Sequence, residues 1–128
     1  MSEAGLKLGR WGENLAAEYL VQQGYIILGR NARTPYGEID LVVRQDKPGE
    51  PAVIVFIEVK TRQSDALGPP EISVTPRKQA RLLSAAQAYL LAHPELDGDW
   101  RVDVIAIRGS RRKSQPEIVH FENALIGS

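Results

Sequence analysis

Asp40, Glu58 and Lys60 are the residues of this chain whose types and spacing could do chemistry. Glu58 and Lys60 end a stretch, residues 53–62, in which Val53, Val55, Ile57 and Val59 alternate with Ile54 and Phe56. That is how a strand buried on both sides reads. A side-chain period of two puts Glu58 and Lys60 on the face of Ile54 and Phe56. Charges that continue a buried face need partners or a metal. Asp40 lies in the preceding strand-like stretch, residues 38–44, where Glu38, Asp40 and Val42 share one face and Ile39, Leu41 and Val43 the other. Asp46-Lys47-Pro48-Gly49-Glu50-Pro51 reads as a loop that joins the two as an antiparallel hairpin. With the turn centred on Gly49, Asp40 opposes Glu58 and Glu38 opposes Lys60. Moving the centre by one residue keeps the face and makes the Asp40–Glu58 pair diagonal.

Two carboxylates facing each other repel, and near a low-dielectric core one takes up a proton. A divalent cation removes the conflict. Magnesium prefers hard oxygen ligands, with one or two carboxylates plus waters and a phosphate oxygen as its usual set. Such an ion can activate water and neutralise charge on phosphorus. Lys60 is then placed to hold the attacking water or to stabilise the charge that develops. The competing reading is a salt-bridged sheet rim, since surface ion pairs are common and contribute little. All three charges together, at the end of an otherwise apolar strand pair, favour the metal.

The elements that must position them can be read from the rest of the chain. Residues 9–23 form a helix, with Trp11, Leu15 and Tyr19 recurring at i+4 and Gly24 as its stop. Residues 25–28 form a short strand and residues 31–36 a turn ending in Thr34-Pro35-Tyr36-Gly37. Residues 63–74, with Gly68-Pro69-Pro70, are expected to be a mobile loop. Thr75 caps a helix whose first residue is Pro76. That helix runs to about His93 with Leu82, Leu83, Ala86, Tyr89 and Leu90 as its buried stripe. Residues 101–108 and 117–122 are the last two strands, separated by a basic loop, and the C-terminal end is expected to fray. The order α-β-β-β-α-β-β gives an α/β sandwich around a central mixed sheet flanked by helices. With no repeat and no linker, residues 1–128 form one domain.

Composition narrows the classes. At 43% hydrophobic and 25% charged residues, the chain is globular rather than disordered. Lys plus Arg and Asp plus Glu both number 16, so any nucleic-acid footprint must come from clustering rather than net charge. The absence of cysteine excludes disulfides and thiolate metal sites. His93 and His120 are too far apart in the chain for a zinc motif and are assigned structural roles. No apolar run approaches the roughly 20 residues of a membrane span, and the N-terminus lacks the apolar core of a signal peptide. A cytoplasmic protein with no membrane partner is the expectation.

The cations fall into two sets. Arg62, Arg77, Lys78 and Arg81, with Lys60, flank the loop and open the second helix, where free N–H groups favour phosphate; they read as a phosphate track. Arg108, Arg111, Arg112 and Lys113 read as ordinary solvated surface. Gln79 points towards the site or caps packing, and Asp103 pairs with Arg101 or a neighbour. Glu13 borders packed surface through Ala16, Ala17 and Leu20. It is either a site residue or a carboxylate complementing the helix dipole.

Asp40, a gap of 17 residues and Glu58-Val59-Lys60 resemble the PD-(D/E)XK nuclease signature, with Gly37-Glu38-Ile39-Asp40 standing where that signature has Pro-Asp. A wider set is more specific: Gly9-Arg10-Trp11-Gly12-Glu13, Gly24-Tyr25, Asn31, Phe56-Ile57-Glu58-Val59-Lys60-Thr61-Arg62, Lys78 and Arg101-Val102-Asp103. Over nearly the whole chain this looks like the bacterial YraN-like family. The resemblance implies a restriction-endonuclease-like fold, similar to archaeal Holliday-junction resolvases, in which a helix-one glutamate joins the Asp, Glu and Lys. By that match Glu13 is the fourth site residue. The implied activity is a magnesium-dependent (or manganese-dependent) endonuclease acting on structured or branched nucleic acid, DNA ahead of RNA. Asp40 and Glu58 would bind the metal, Glu13 would assist directly or through water, and Lys60 would serve the attacking water. Resolvase-like relatives act as dimers, which leaves a homodimer open. Two other classes compete: a nucleic-acid-binding or assembly module that does not cleave, and a hydrolase of small phosphoesters. Near-neutral charge and the lack of an aromatic strip lean against strong autonomous binding.

Overall fold

Leu20, at the end of the first helix, shows how the chain turns from helix into sheet. In the computed structural model, which describes residues 3–62, 74–109 and 115–125 and the first helix's side chains from residue 7 onward, helix α1 spans Glu3–Gln22. Gly24 adopts φ 93°, its N–H bonds the Val21 carbonyl at 3.0 Å, and the Tyr25 N–H bonds the Leu20 carbonyl at 2.9 Å. This pair of bonds closes the last turn and needs a left-handed residue, which glycine supplies without steric cost. Tyr25 and Leu20 are then buried in the same cluster. The helix starts at Glu3, six residues before the expected position 9.

Strands β1 (Ile26–Thr34), β2 (Gly37–Gln45) and β3 (Val53–Arg62) follow as an antiparallel meander. Helix α2 (Pro76–Ala92) crosses to β4 (Asp99–Arg108), which pairs parallel with β3, and β5 (Glu117–Phe121) closes the edge antiparallel to β4. The result is a five-stranded mixed sheet in the order β1-β2-β3-β4-β5 with the expected succession of elements. Each helix covers one face. Ala16 and Leu20 of α1 pack on Leu41, Val43, Val55, Ile57, Ile105 and Ile107. Leu82, Ala85 and Ala86 of α2 pack on Ile39, Val42, Ile54, Phe56 and Val102. Central β3 therefore buries alternate residues in both layers, as its apolar run requires.

Thr75 caps α2 as expected, its side-chain oxygen accepting from the Lys78 N–H at 3.2 Å, with Pro76 in the first turn. Three expectations are corrected. The first strand extends to Thr34, so only Pro35 and Tyr36 remain of the expected 31–36 turn. Pairing of Ala32, Arg33 and Thr34 with Ile39, Glu38 and Gly37 outweighs their turn-like composition. Ile39 packs with Val42 rather than with Leu41 and Val43, so the alternation slips across Asp40. Across the same point β1 accommodates Asn31 at φ 48°. The C-terminal end does not fray before Leu125. The Asn123 N–H bonds Asp103 Oδ1 at 2.8 Å, the Ala124 N–H bonds the Val102 carbonyl at 2.9 Å, and Leu125 is buried. Gly68-Pro69-Pro70, Arg111, Arg112 and Lys113 lie outside the described residues. No helix among the described residues is long and apolar enough to cross a membrane.

Candidate functional site

The β2–β3 hairpin has the register centred on Gly49: Gln45 faces Val53, Val43 faces Val55 and Leu41 faces Ile57. Regular pairing ends there. The next position would set Asp40 against Glu58, and Asp40 instead turns its carboxylate into the ladder. Its Oδ2 accepts the Val59 backbone N–H at 2.8 Å. A side chain thus takes the acceptor role that backbone supplies one step earlier, which fixes the carboxylate to β3.

Burial pushes the Asp40 carboxyl up to about 7, and the neighbouring Glu58 charge adds to it, against the opposing effect of the Val59 N–H. Glu13 and Glu38 push the same way. Burial also raises Glu58, while Arg81, Lys60 and Lys78 lower it. Arg81 Nη2 lies 3.7 Å from Glu58 Oε2, and Arg81 Nη1 makes a long 3.4 Å bond to the Glu38 carbonyl. Burial lowers the Lys60 ammonium, and the Lys78 charge acts in the same direction.

Glu13 reaches this end of the sheet because α1 runs very close to β3. A Cβ on Gly12 would collide with the Thr61 side chain, so only glycine allows that approach. The Glu13 carboxylate is held by Asn31, with Nδ2 to Oε1 at 3.0 Å. The left-handed backbone of Asn31 belongs to this contact rather than to a turn.

The structure therefore brings Glu13, Asp40, Glu58, Lys60, Lys78 and Arg81 within electrostatic reach of one another. Arg62 is exposed and acts on Lys60. Arg77 is exposed on the first turn of α2 and is not among the strongest influences on Asp40, Glu58 or Lys60. Among the described residues no three His, Cys, Asp or Glu side chains are arranged to hold a metal ion. Asp40 and Glu58 are the two carboxylates at the strand ends, and Glu13 stands beside them on α1.

Residues 12–107 match the family described as Uncharacterised protein family UPF0102. The chain belongs to this family. It is 46% identical to the UPF0102 protein of Syntrophotalea carbinolica over 97% of this chain and 95% of the relative. It is 48% identical to that of Syntrophomonas wolfei over 92% of this chain and 96% of the relative, and 41% identical to that of Roseiflexus castenholzii over 93% of each. These are the YraN-like proteins that the motifs resemble. The printed name of these relatives states a family and no activity. The UPF0102 match contains Glu13, Asn31, Asp40, Glu58, Lys60, Lys78 and Arg81 and ends before His120.

In this UPF0102 chain two roles escape the sequence reading. Arg81 is the counter-ion of Glu58, not only a member of a phosphate track. Its place three residues beyond Lys78 on the helix was the available signal. Asn31 is the partner of Glu13, and nothing local announces it. Gln79 donates to the Val74 carbonyl at 3.0 Å and so steadies the start of α2. Asp103 is fully buried and accepts from Arg101 Nε at 3.0 Å, and it lies 2.8 Å from His120 Nε2. Arg101 also bonds the Tyr25 hydroxyl and Gln45. With the Tyr19 hydroxyl 3.2 Å from His120 Nδ1, this network ties α1, β4 and β5 together. His93 stacks on Tyr89 and contacts its carbonyl at the end of α2.

Proposed function

We propose that this UPF0102 protein has the restriction-endonuclease-like fold and is a divalent-metal-dependent nuclease. Its substrates on this reading are phosphodiester bonds in structured or branched nucleic acid, DNA ahead of RNA. The observation that carries the reading is the half-buried Asp40–Glu58 pair at the open end of the hairpin, where burial and then the Glu58 charge lift the Asp40 carboxyl to about 7. A dication would relieve that conflict, and hard carboxylate oxygens suit magnesium or manganese. Asp40 and Glu58 would hold the ion, and Glu13, already fixed by Asn31, would reach it through water. When bound, the ion would supply Lewis-acid polarisation of water and of a phosphoryl oxygen. Lys60 has donors and no acceptor, so it would orient the attacking water and stabilise charge on the phosphoryl group.

One observation favours the second reading, a binding or assembly module that does not cleave. Asp40 and Glu58 already have protein partners, the Val59 N–H and Arg81, so the pair can stand without a metal.

The deciding experiment incubates the purified chain with magnesium or manganese on branched, flap and linear DNA and RNA, beside Asp40→Asn and Lys60→Ala. The nuclease reading expects cleavage lost in Asp40→Asn. In Lys60→Ala it expects single-turnover cleavage slowed by about 10²–10³, the usual cost of losing one preorganised donor. Nucleic-acid binding without cleavage of any substrate by either metal replaces it with the binding module.

A further inference from the structure

Tyr89 and His93 form a stacked ring pair near the end of α2, with centroids 4.0 Å apart and planes 16° from parallel. They stand one helical turn apart and so share a face. Both rings are fixed. Tyr89 makes a T-shaped contact with Phe56 of the core at 5.7 Å, and His93 Nδ1 lies 2.8 Å from the Tyr89 carbonyl. A carbonyl only accepts, so that nitrogen donates and the imidazole orientation is set. The two rings line a cavity of about 300 Å³ together with Ala32 and Arg33 of β1 and Ala88 and Ala92 of α2. The three alanines leave this space open where larger side chains would fill it. Its size is at the lower end of small-molecule sites and suits a single flat ring system.

We infer that this cavity receives one unpaired nucleobase of the nucleic acid that docks at Asp40 and Glu58. The inference rests on the nuclease reading for the strand that brings the base; the receptor itself rests on the ring pair, the cavity and their position.

That position adjoins the candidate site. Arg33 faces Glu38 across the β1–β2 ladder, and the Glu38 carbonyl accepts from Arg81, the partner of Glu58. Along α2, Arg81 precedes Ala88 by about 10 Å of helix axis. This is about three steps of a stacked strand and fewer of an unstacked one. A base that leaves the stack beside the site therefore reaches the cavity. Every base has a π-face, so an aromatic wall binds any of them once it is unpaired. Arg33 is exposed and forms no ion pair among the described residues. Its guanidinium is free to take the phosphate that flanks the base. The neighbouring Thr34 hydroxyl is already committed, donating to the Gly37 carbonyl at 2.7 Å and accepting the Tyr36 N–H at 3.1 Å. The cavity thus selects a flat, unpaired ring rather than a particular base.

The test measures binding of the full chain, without divalent metal, to two DNA duplexes. One is fully paired; the other carries a single bulged fluorescent adenine analogue whose emission stacking quenches. Wild type should bind the bulged duplex on the order of tenfold tighter and quench the analogue further. Ala88→Leu and Ala92→Leu, which fill the cavity, should bring the two affinities together and abolish the added quenching. Ala92 is exposed, so its replacement keeps the fold. Arg33→Gln should narrow the ratio, and Lys47→Ala, exposed in the β2–β3 loop, should leave it as in wild type. Equal binding of the two duplexes by wild type would overturn the base site. So would a ratio retained in both leucine variants, or one lost equally in Lys47→Ala. Parallel assays with magnesium or manganese separate this from the activity. A cavity-dependent preference without cleavage keeps the base site and removes the nuclease. Cleavage without the preference keeps the nuclease and removes the base site.

Discussion

The Asp40 carboxylate and the Val59 backbone N–H meet at 2.8 Å, where regular pairing between the hairpin strands stops. This one bond holds a half-buried carboxylate beside Glu58 and gives it a backbone anchor that an asparagine could also use.

Asp40→Asn should therefore fold and be more stable than wild type at neutral pH without divalent ions. Asp40 has its folded value raised from 3.8 to about 7. Its contribution is fully present below 3.8 and is lost as pH rises through about 7. Melting temperatures should coincide in acid and diverge in favour of the variant across that window. Parallel profiles for the two proteins would mean that Asp40 carries no buried-charge penalty.

Magnesium should raise the melting temperature of wild type, and less so that of Asp40→Asn or Glu58→Gln. An ion at 100 times its dissociation constant adds about 2.7 kcal/mol to the folded state. Arg81→Ala removes the cation that now balances Glu58 at 3.7 Å, so the same response should appear at lower magnesium. A response of equal size in the two carboxylate variants and wild type rules out these ligands. An unchanged midpoint in Arg81→Ala rules out competition by the arginine.

Asp103→Asn should be strongly destabilising. Asp103 is fully buried among Arg101, His120 and the Asn123 N–H. An amide group would face donors there, at a cost of about 3 kcal/mol for breaking a buried charge pair. Burial alone raises this carboxyl, but hydrogen bonds from His120, Arg101 and Asn123 outweigh it and hold it below its ordinary 3.8. Its stabilisation is thus complete above that value and disappears as pH falls through the depressed one. Urea denaturation at neutral and acid pH measures both. A loss smaller than about 0.5 kcal/mol at neutral pH, typical of surface changes, would show that the network adds nothing.

Gly12→Ala should loosen α1 from β3 by about 1–3 kcal/mol, the usual cost of overpacking. The added Cβ would meet Thr61 Oγ1, with Cγ2 at 3.0 Å and Cβ at 3.1 Å, so rotating the threonine does not clear it. Thr61→Ala in the same chain should recover part of the loss in a double-mutant cycle. Additive effects of the two changes would deny the contact.

The element order, the burial of β3 on both faces, the hairpin register and the Thr75-Pro76 helix start were legible in the chain. Period-two alternation, a loop centred on Gly49 and a capping pair are local signals with local causes. The convergence of Asp40, Glu58 and Lys60 on one region followed from that register. The rest depended on how α1 and α2 dock. Asn31 looks like a turn residue until α1 brings Glu13 to it. Arg81 reads as part of a phosphate track until α2 settles on the sheet and turns it to Glu58. The slip of alternation at Asp40 arises where strand pairing yields to a side-chain bond. Such pairings join residues distant in sequence, and packing of the two helices on opposite faces of the sheet selects them.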